Sequence, residues 1–246
     1  MESVFRQTQT VEDIHVDCFG RLKPSALLYF AQEAAGGHCQ LLKLDWDTLA
    51  KQDLFWAVIR QKVEITRLPM RGETITVETW PMPTTRSAFP RATVGYDKGG
   101  NALFQVIGLW VLMNTKTRAM VVPGKSGVEL SGTVRGGELA TPGSIIPKPL
   151  ENVTTRQVRF TELDRNGHMN NTYYLNWLDD LLPKVFHEQH PIREFTVCYQ
   201  SEAMENQQID LHWQLLDGPV LQVDALRKNT DVTGKQERVF SAQAHF

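Results

Sequence analysis

The chain contains the same short motif twice, and this repetition limits its fold more than any other feature. Asp17-x-x-Gly20 recurs as Asp164-x-x-Gly167 at an offset of 147 residues, and an amphipathic segment follows each copy. A motif that recurs together with the element behind it indicates a duplicated structural unit. The sequence therefore predicts two related units in one chain.

Each copy continues into a block with strand patterns. Residues 74–80 and 103–112 are rich in β-branched and apolar side chains, as strands are. Residues 70–77 align with residues 204–211 at an offset of 134, so the helix-to-strand connection is shorter in the second copy. A sheet with one apolar face and a single long helix predicts an α+β unit whose sheet wraps around the helix. Two such units form a covalent pseudo-dimer.

A segment rich in Gly, Pro and Ser, residues 124–150, separates the two copies. This composition is typical of a linker. We therefore expect an N-terminal unit at residues 1–123 and a C-terminal unit at residues 151–246.

The composition argues against several classes of function. A formal net charge of −2 without long Lys/Arg runs argues against a nucleic-acid partner. No apolar run reaches the roughly 18 residues of a membrane span. The three cysteines, Cys18, Cys39 and Cys198, include no CxxC pair, so neither a disulfide framework nor a thiolate zinc site is expected. The histidines show no ligand spacing, so we expect no metal and no other cofactor.

Three polar residues stand at alternate positions in the second motif: Asp164, Asn166 and His168. In an extended backbone alternate side chains share one face, so these groups are predicted to converge on one pocket. Residues 172–182 predict a helix whose N-terminal amides point at that pocket and favour developing negative charge. A carboxylate, an amide, an imidazole and a helix N-terminus suit acyl-transfer chemistry.

The two copies differ at the positions where chemistry would differ. The aligned pairs, second copy first, are Asn166 with Phe19, His168 with Arg21, Asn171 with Pro24, and Glu202 with Leu68. The polar set exists only in the second copy, and the first copy looks apolar. We expect the second copy to supply the reacting groups and the first to supply the wall of a hydrophobic pocket.

Longer motifs in both halves carry a resemblance to a known family. They are residues 164–171 with the Tyr-Leu-x-Trp that follows, and residues 199–202, 56–60, 69–80 and 110–118. This set resembles the acyl-acyl carrier protein (acyl-ACP) thioesterases of fatty acid synthesis over nearly the whole chain. The resemblance implies a double hotdog fold, with two antiparallel sheets each wrapped around a long helix. It also implies hydrolysis of fatty acyl-ACP thioesters to free fatty acid and carrier thiol, which terminates fatty acid synthesis.

The resemblance implies that Asp164, Asn166, His168 and Glu202 are the catalytic residues. By their chemistry, Glu202 and His168 are both candidate bases for water, and we favour Glu202, with His168 orienting the water or the substrate. Asp164 is expected to hold His168 or Asn166 in place. Asn166, with helix amides near Asn170, is expected to donate to the oxyanion.

A covalent route is the less favoured mechanism. Many plant members of the family have a cysteine directly after the glutamate, and this chain has Ala203 there. Cys198 shares strand parity with Glu202 and is the remaining candidate thiol, although a buried cysteine usually acts as a small hydrophobe. We expect direct attack by water.

Other functions stay open at this point. An acyl-CoA thioesterase or a hotdog dehydratase would use a similar histidine and carboxylate. A non-catalytic fatty-acyl sensor would need an output module, and no helix-turn-helix pattern is evident. The intact polar set of the second copy favours an enzyme.

The expected partner is an acyl carrier protein that bears a fatty acyl-phosphopantetheine. Such carriers are acidic, so a basic rim is expected to steer the encounter. The arginines near the predicted site are Arg156, Arg159, Arg165 and Arg193. The protein is expected to be a monomer, as a pseudo-dimer, or a homodimer. Its cysteine usage, and an N-terminus without a signal or transit pattern, favour the bacterial cytoplasm.

Overall fold

The computed structural model describes residues 3–228 and 236–246. The chain divides into two units, Met1–Pro142 and Gly143–Phe246, and within each unit the strands pair antiparallel. Within the described ranges, no helix is both long and apolar enough to span a bilayer.

The first unit combines a run of paired antiparallel strands with one long helix. Its strands are β1 (Phe5–Thr10), β2 (Leu54–Ile65), β3 (Thr74–Pro81), β4 (Phe89–Tyr96), β5 (Ala102–Asn114) and β6 (Met120–Val121). They pair in the order β1-β3-β4-β5-β2, and β6 pairs with β5. Its helices are α1 (Pro24–Leu41), α2 (Trp46–Ala50) and α3 (Pro123–Ser126), with a 3₁₀ turn at Asp13–His15.

Helix α1 packs against β1 and β3. Pro24 occupies its first turn, where a missing amide costs no intrahelical hydrogen bond. Leu27, Leu28, Phe30 and Ala34 are all at most 1% exposed. Full burial of a Leu or Phe side chain contributes about 1.5–3 kcal/mol. The helix is therefore held in place by its apolar face.

The core of the first unit also contains a buried polar cluster. Arg91 of β4 is 7% exposed, and its guanidinium lies 3.2 Å from Nδ1 of His38 and 3.4 Å from the hydroxyl of Thr79. Burial lowers the pKa of Arg91, and no carboxylate among the described residues forms an ion pair with it. The core of the first unit is therefore not wholly apolar.

The second unit repeats the arrangement with shorter helices. Its strands are β7 (Asn152–Gln157), β8 (Glu194–Tyr199), β9 (Gln208–Leu216), β10 (Val220–Lys228) and β11 (Gln236–His245), paired in the order β8-β11-β10-β9-β7. Its helices are α4 (Tyr173–Asp179) and α5 (Lys184–Gln189), and a 3₁₀ turn covers Phe160–Glu162.

Helix α4 is shorter than the predicted helix at residues 172–182. It ends at Asp179, and a second aspartate and then Pro183 follow. Acidic side chains are unfavourable at a helix C-terminus, and a proline disfavours helix at the residue before it. The ring of Tyr174 still packs edge-on against Tyr199 of β8 and Phe240 of β11, so α4 retains its place on the sheet.

The segment predicted as a linker contains the end of α3 and then no helix or strand from residue 127 to residue 151, all of which are described. The roles assigned to the two halves stay a prediction.

Candidate active site

The second Asp-x-x-Gly motif forms a closed turn that its aspartate organises. The backbone N–H of Asp164 donates to the carbonyl of His168 at 2.7 Å, and the N–H of Gly167 donates to the carbonyl of Asp164 at 3.0 Å. The Asp164 carboxylate accepts the N–H groups of Asn166 (2.8 Å) and His168 (3.2 Å). Gly167 has a φ of 77°, a left-handed conformation in which glycine avoids a steric cost. Asp164 thus fixes the backbone that carries Asn166 and His168.

A second segment lies alongside this turn and brings in Glu202. The N–H of Met169 donates to the carbonyl of Ala203 at 2.8 Å, and His168 forms a β-bridge with Met204. As a result, Nε2 of His168 lies 3.4 Å from Oε2 of Glu202. The His168 side chain is 14% exposed and that of Glu202 is 42% exposed. The imidazole is therefore held in a partly enclosed position while the carboxylate stays accessible to water.

The predicted set converges in one place. The Asn166 side-chain amide donates to Oδ2 of Asp164 at 3.3 Å, so a continuous contact chain links Asn166, Asp164, His168 and Glu202. The strand-like alternation that suggested this cluster is realised in a turn, because a β-bridge between Leu163 and Met169 closes its two ends.

The helix amides predicted as oxyanion donors are already engaged. The N–H of Thr172 donates to Oδ1 of Asn170 at 2.9 Å, and the N–H of Tyr173 donates to the carbonyl of Asn170 at 3.0 Å. An asparagine side-chain oxygen commonly accepts the backbone N–H two residues further on, in an Asx turn. The predicted contribution of these amides to an oxyanion hole is therefore wrong for Thr172 and Tyr173.

Cys198 is oriented toward the start of its own unit. The residue is buried on β8, and its Sγ donates to the carbonyl of Gly143 at 3.7 Å. The neighbouring Tyr199 hydroxyl donates to the carbonyl of Asn171 at 3.1 Å, and burial raises the pKa of Tyr199 well above its usual value. A neutral phenol that braces the backbone at Asn171 is a structural feature of this site.

The arginines of the predicted basic rim differ in their exposure. Arg156 forms an ion pair with Asp180 and lines a polar cavity of about 340 Å³ together with Arg159 and Trp177. Arg159, Arg165 and Arg193 are exposed. One charge of the predicted rim is therefore neutralised within the unit. Separately, no group of three or more His, Cys, Asp or Glu side chains suited to a metal ion occurs among the described residues.

The sequence did not point to Arg227, which contacts the Glu202 segment. Its guanidinium donates to the backbone carbonyl of Glu202 at 2.8 Å. Its only signal in the sequence is a charge near the end of an alternating strand, a pattern that usually indicates a solvated side chain.

Models of one family match both halves of the chain. The acyl-ACP thioesterase N-terminal domain matches residues 2–123, and the acyl-ACP thioesterase C-terminal domain matches residues 148–245. The chain belongs to the acyl-ACP thioesterase family. The family resemblance expected from the motifs is thereby confirmed.

Plant proteins of this family are similar to the chain in sequence. It is 29% identical over 218 residues to dodecanoyl-[acyl-carrier-protein] hydrolase of Cinnamomum camphora, covering 81% of this chain and 56% of that protein. It is 25% identical over 216 residues to palmitoyl-acyl carrier protein thioesterase of Gossypium hirsutum, covering 81% and 52%. Both relatives are described as chloroplastic. The chain spans about half the length of these curated relatives.

Solved structures share the fold over the full chain. An acyl-ACP thioesterase from Bacteroides thetaiotaomicron superposes with a TM-score of 0.88 at 23% identity, covering 99% of this chain and 98% of that one. The 12:0-ACP thioesterase of Umbellularia californica gives a TM-score of 0.82 at 23% identity, covering 100% and 97%. The expected double hotdog, α+β fold is confirmed.

Proposed function

We propose that this protein hydrolyses fatty acyl-ACP thioesters to free fatty acid and carrier thiol, and so terminates fatty acid synthesis. The observation that carries the proposal is the 3.4 Å approach of His168 to Glu202 beside the Asp164 turn, in a chain of this family. Hydrolysis of a thioester needs a positioned base for water, a donor for the carbonyl oxygen and little assistance to the leaving group.

Glu202 is the proposed base, with His168 orienting the water or the substrate. The Glu202 carboxylate is the more exposed member of the pair, so water reaches it directly. General-base catalysis typically contributes about 10²- to 10⁴-fold to a rate. Asp164 acts through the backbone it holds, because its carboxylate accepts the N–H groups of both Asn166 and His168.

Asn166 is the proposed oxyanion donor. Its side-chain amide lies on the same turn as His168, and two nearby helix amides are engaged by Asn170. One oxyanion donor contributes roughly 2.7–4 kcal/mol in measured cases. A thiolate leaves readily, so protonation of the carrier thiol is a minor requirement.

The mechanism proposed here has no acyl-enzyme intermediate. Ala203 follows Glu202, so the position directly after the glutamate carries no thiol. The Cys198 thiol donates a hydrogen bond to the carbonyl of Gly143. Water therefore attacks the thioester carbonyl directly while Glu202 takes its proton. The carbonyl carbon gains the hydroxyl, and the carbon–sulfur bond breaks to release the carrier thiolate.

The first unit is proposed to hold the acyl chain, and the carrier is the proposed partner. The exposed arginines Arg159, Arg165 and Arg193 are proposed to steer an acidic carrier. The bacterial cytoplasm remains the proposed location, supported by three cysteines that are free thiols.

The test is a product profile. Purified protein is given ACP-bound acyl chains of several lengths and, separately, the matching acyl-CoA series, and the free fatty acids are quantified. The proposal requires higher kcat/KM on ACP-bound chains. Comparable rates on both donors would indicate an acyl-CoA thioesterase, and binding of acyl-ACP without release of fatty acid would indicate a sensor.

A further inference from the structure

Arg227 of β10 makes three hydrogen bonds around the segment that carries Glu202. Its Nη1 donates to the backbone carbonyl of Glu202 at 2.8 Å and to Oε1 of Gln207, and its Nη2 donates to Oε2 of Glu237 at 2.7 Å. The Arg227 side chain is 16% exposed. One guanidinium therefore joins the Glu202 segment to two strands of the sheet.

These partners leave the segment between β8 and β9 little freedom. Oε1 of Gln207 also accepts the N–H of Met204 at 2.9 Å, so Arg227 and Gln207 hold the segment from both ends. Glu237 anchors the guanidinium from β11, and the hydrogen bond from Arg227 holds the pKa of Glu237 below its usual value despite partial burial. The anchor is thus a charged, hydrogen-bonded pair at neutral pH.

The first unit holds the equivalent segment in a different way. There the carbonyl of Leu68, aligned with Glu202, accepts Nη1 of Arg67 at 3.4 Å. Glu73, aligned with Gln207, accepts the N–H of Met70 at 3.0 Å and Nη1 of Arg67 at 2.7 Å. Arg67 belongs to the segment itself, and its side chain is 47% exposed. In the first unit the segment is therefore held by an exposed arginine of the segment itself. In the second unit, which carries the polar set, it is held by a largely buried arginine from a strand.

We infer that Arg227 is a positioning residue for Glu202, and this inference rests on the proposed function. By holding the carbonyl of Glu202 against the sheet, Arg227 fixes the distance between the Glu202 carboxylate and Nε2 of His168. A misplacement of about 1 Å at a reacting group can cost on the order of 10²-fold in rate. A lysine cannot replace the fork, because a single ammonium lacks its planar, two-sided donor geometry.

The experiment compares Arg227→Met and Arg227→Lys with the matched control Arg67→Met in the first unit. We expect Arg227→Met to lower kcat on acyl-ACP by about 10- to 100-fold, with KM changing less than about threefold. Arg227→Lys keeps the charge beside Glu237 and should lose about 5- to 20-fold by the same reasoning. Arg67→Met should keep kcat within about twofold. Thermal unfolding of all three proteins is followed in parallel. If Arg227→Met does not fold, the kcat of Arg227→Lys tests the positioning role.

A double-mutant cycle separates positioning from general structural support. In a Glu202→Ala background Arg227→Lys should lower kcat by less than about twofold, because the group it positions is gone. Equal losses in both backgrounds, or a normal kcat for folded Arg227→Lys, would overturn the inference. The wild-type rate on acyl-ACP is measured first. If the wild type releases no fatty acid, the proposed function fails. If the wild type is active and Glu202→Ala is impaired, the cycle tests Arg227 alone.

Discussion

The two Asp-x-x-Gly turns have nearly the same backbone hydrogen bonds but differ in the contacts that their side chains make. In both, the aspartate carboxylate accepts two backbone N–H groups, at 2.8 and 3.0 Å in the first copy and at 2.8 and 3.2 Å in the second. The glycines Gly20 and Gly167 have φ values of 76° and 77°. The aspartate and the glycine therefore set the backbone geometry of this turn, whether or not the turn carries candidate catalytic side chains.

The two turns differ in where the partner of the fifth residue lies: within the turn in the first copy and on another segment in the second. In the first copy Arg21 forms an ion pair with Asp17 at 2.9 Å and lies over the ring of Phe19, 4.5 Å from its centroid. The aspartate and the arginine thus neutralise each other within the turn. In the second copy His168 extends to Glu202 on another segment. A stable structural turn thus becomes a candidate active site when its fifth residue, here His168, contacts a carboxylate outside the turn.

The largest expected difference is between Glu202 and its counterpart Leu68. Glu202→Ala should lower kcat by on the order of 10²-fold or more, because it removes the proposed base. Leu68→Ala should leave kcat within about threefold, since no proton transfer depends on it. Steady-state release of fatty acid from acyl-ACP measures both. Near-normal turnover by a folded Glu202→Ala protein would refute the assignment of the base.

A smaller difference is expected between the two aspartates. Asp164→Asn and Asp17→Asn should each lower the free energy of unfolding by about 1–2 kcal/mol, because each loses charge-assisted hydrogen bonds to two backbone N–H groups. Only Asp164→Asn should also lower kcat, by roughly tenfold, since only its turn carries proposed catalytic groups. Denaturant titration and kcat are measured on the same preparations. Equal kcat losses in the two variants would show that the turns are not functionally distinct.

Substitutions in α1 should change which chains are cleaved. Leu28 and Phe30 are at most 1% exposed in the first unit. Leu28→Trp should shift the product distribution toward shorter chains and Phe30→Ala toward longer ones. Each buried methylene contributes only about 0.8 kcal/mol, so the shift should be graded over neighbouring lengths. Phe30→Ala also costs about 3–5 kcal/mol of stability, so folding is checked by thermal unfolding. Uniform loss of activity with an unchanged distribution, in folded variants, would remove the acyl-pocket assignment.

The smallest effect is expected at Cys198. Cys198→Ala should keep kcat within about twofold, because its thiol is buried and donates to a backbone carbonyl. Intact-protein mass spectrometry after rapid quenching of the wild type provides the independent check. An acyl adduct on Cys198 would contradict direct attack by water.

The sequence predicted the duplicated fold because the special backbone positions repeat with it. Asp17, Gly20 and their counterparts are visible as letters, and Asn206 takes over the left-handed conformation of Gly72 with a φ of 65°, which asparagine tolerates. The convergence of Asp164, Asn166 and His168 was predictable because their spacing is retained within a single turn, whereas Glu202 lies on a separate segment and was singled out by the family resemblance.

Other features were not predicted, one for a local reason and two because they depend on contacts between distant segments. The periodicity of residues 172–182 predicts a helix, but the helix ends at Asp179 because the following acidic residue and Pro183 oppose its continuation. A strand pattern does not show that Arg91 faces α1 or that Arg227 reaches the Glu202 carbonyl. Both facts follow from strand pairing and register, which link residues far apart in the chain.

The central claim, that one of two matching turns is catalytic, is tested most directly by the paired variants His168→Ala and Arg21→Ala. Their kcat values are measured on the acyl-ACP that the wild type cleaves fastest, with thermal unfolding as the folding control. We expect a loss on the order of 10²-fold or more for His168→Ala and less than about threefold for Arg21→Ala. Similar losses in both folded variants, or near-normal turnover by His168→Ala, would contradict it.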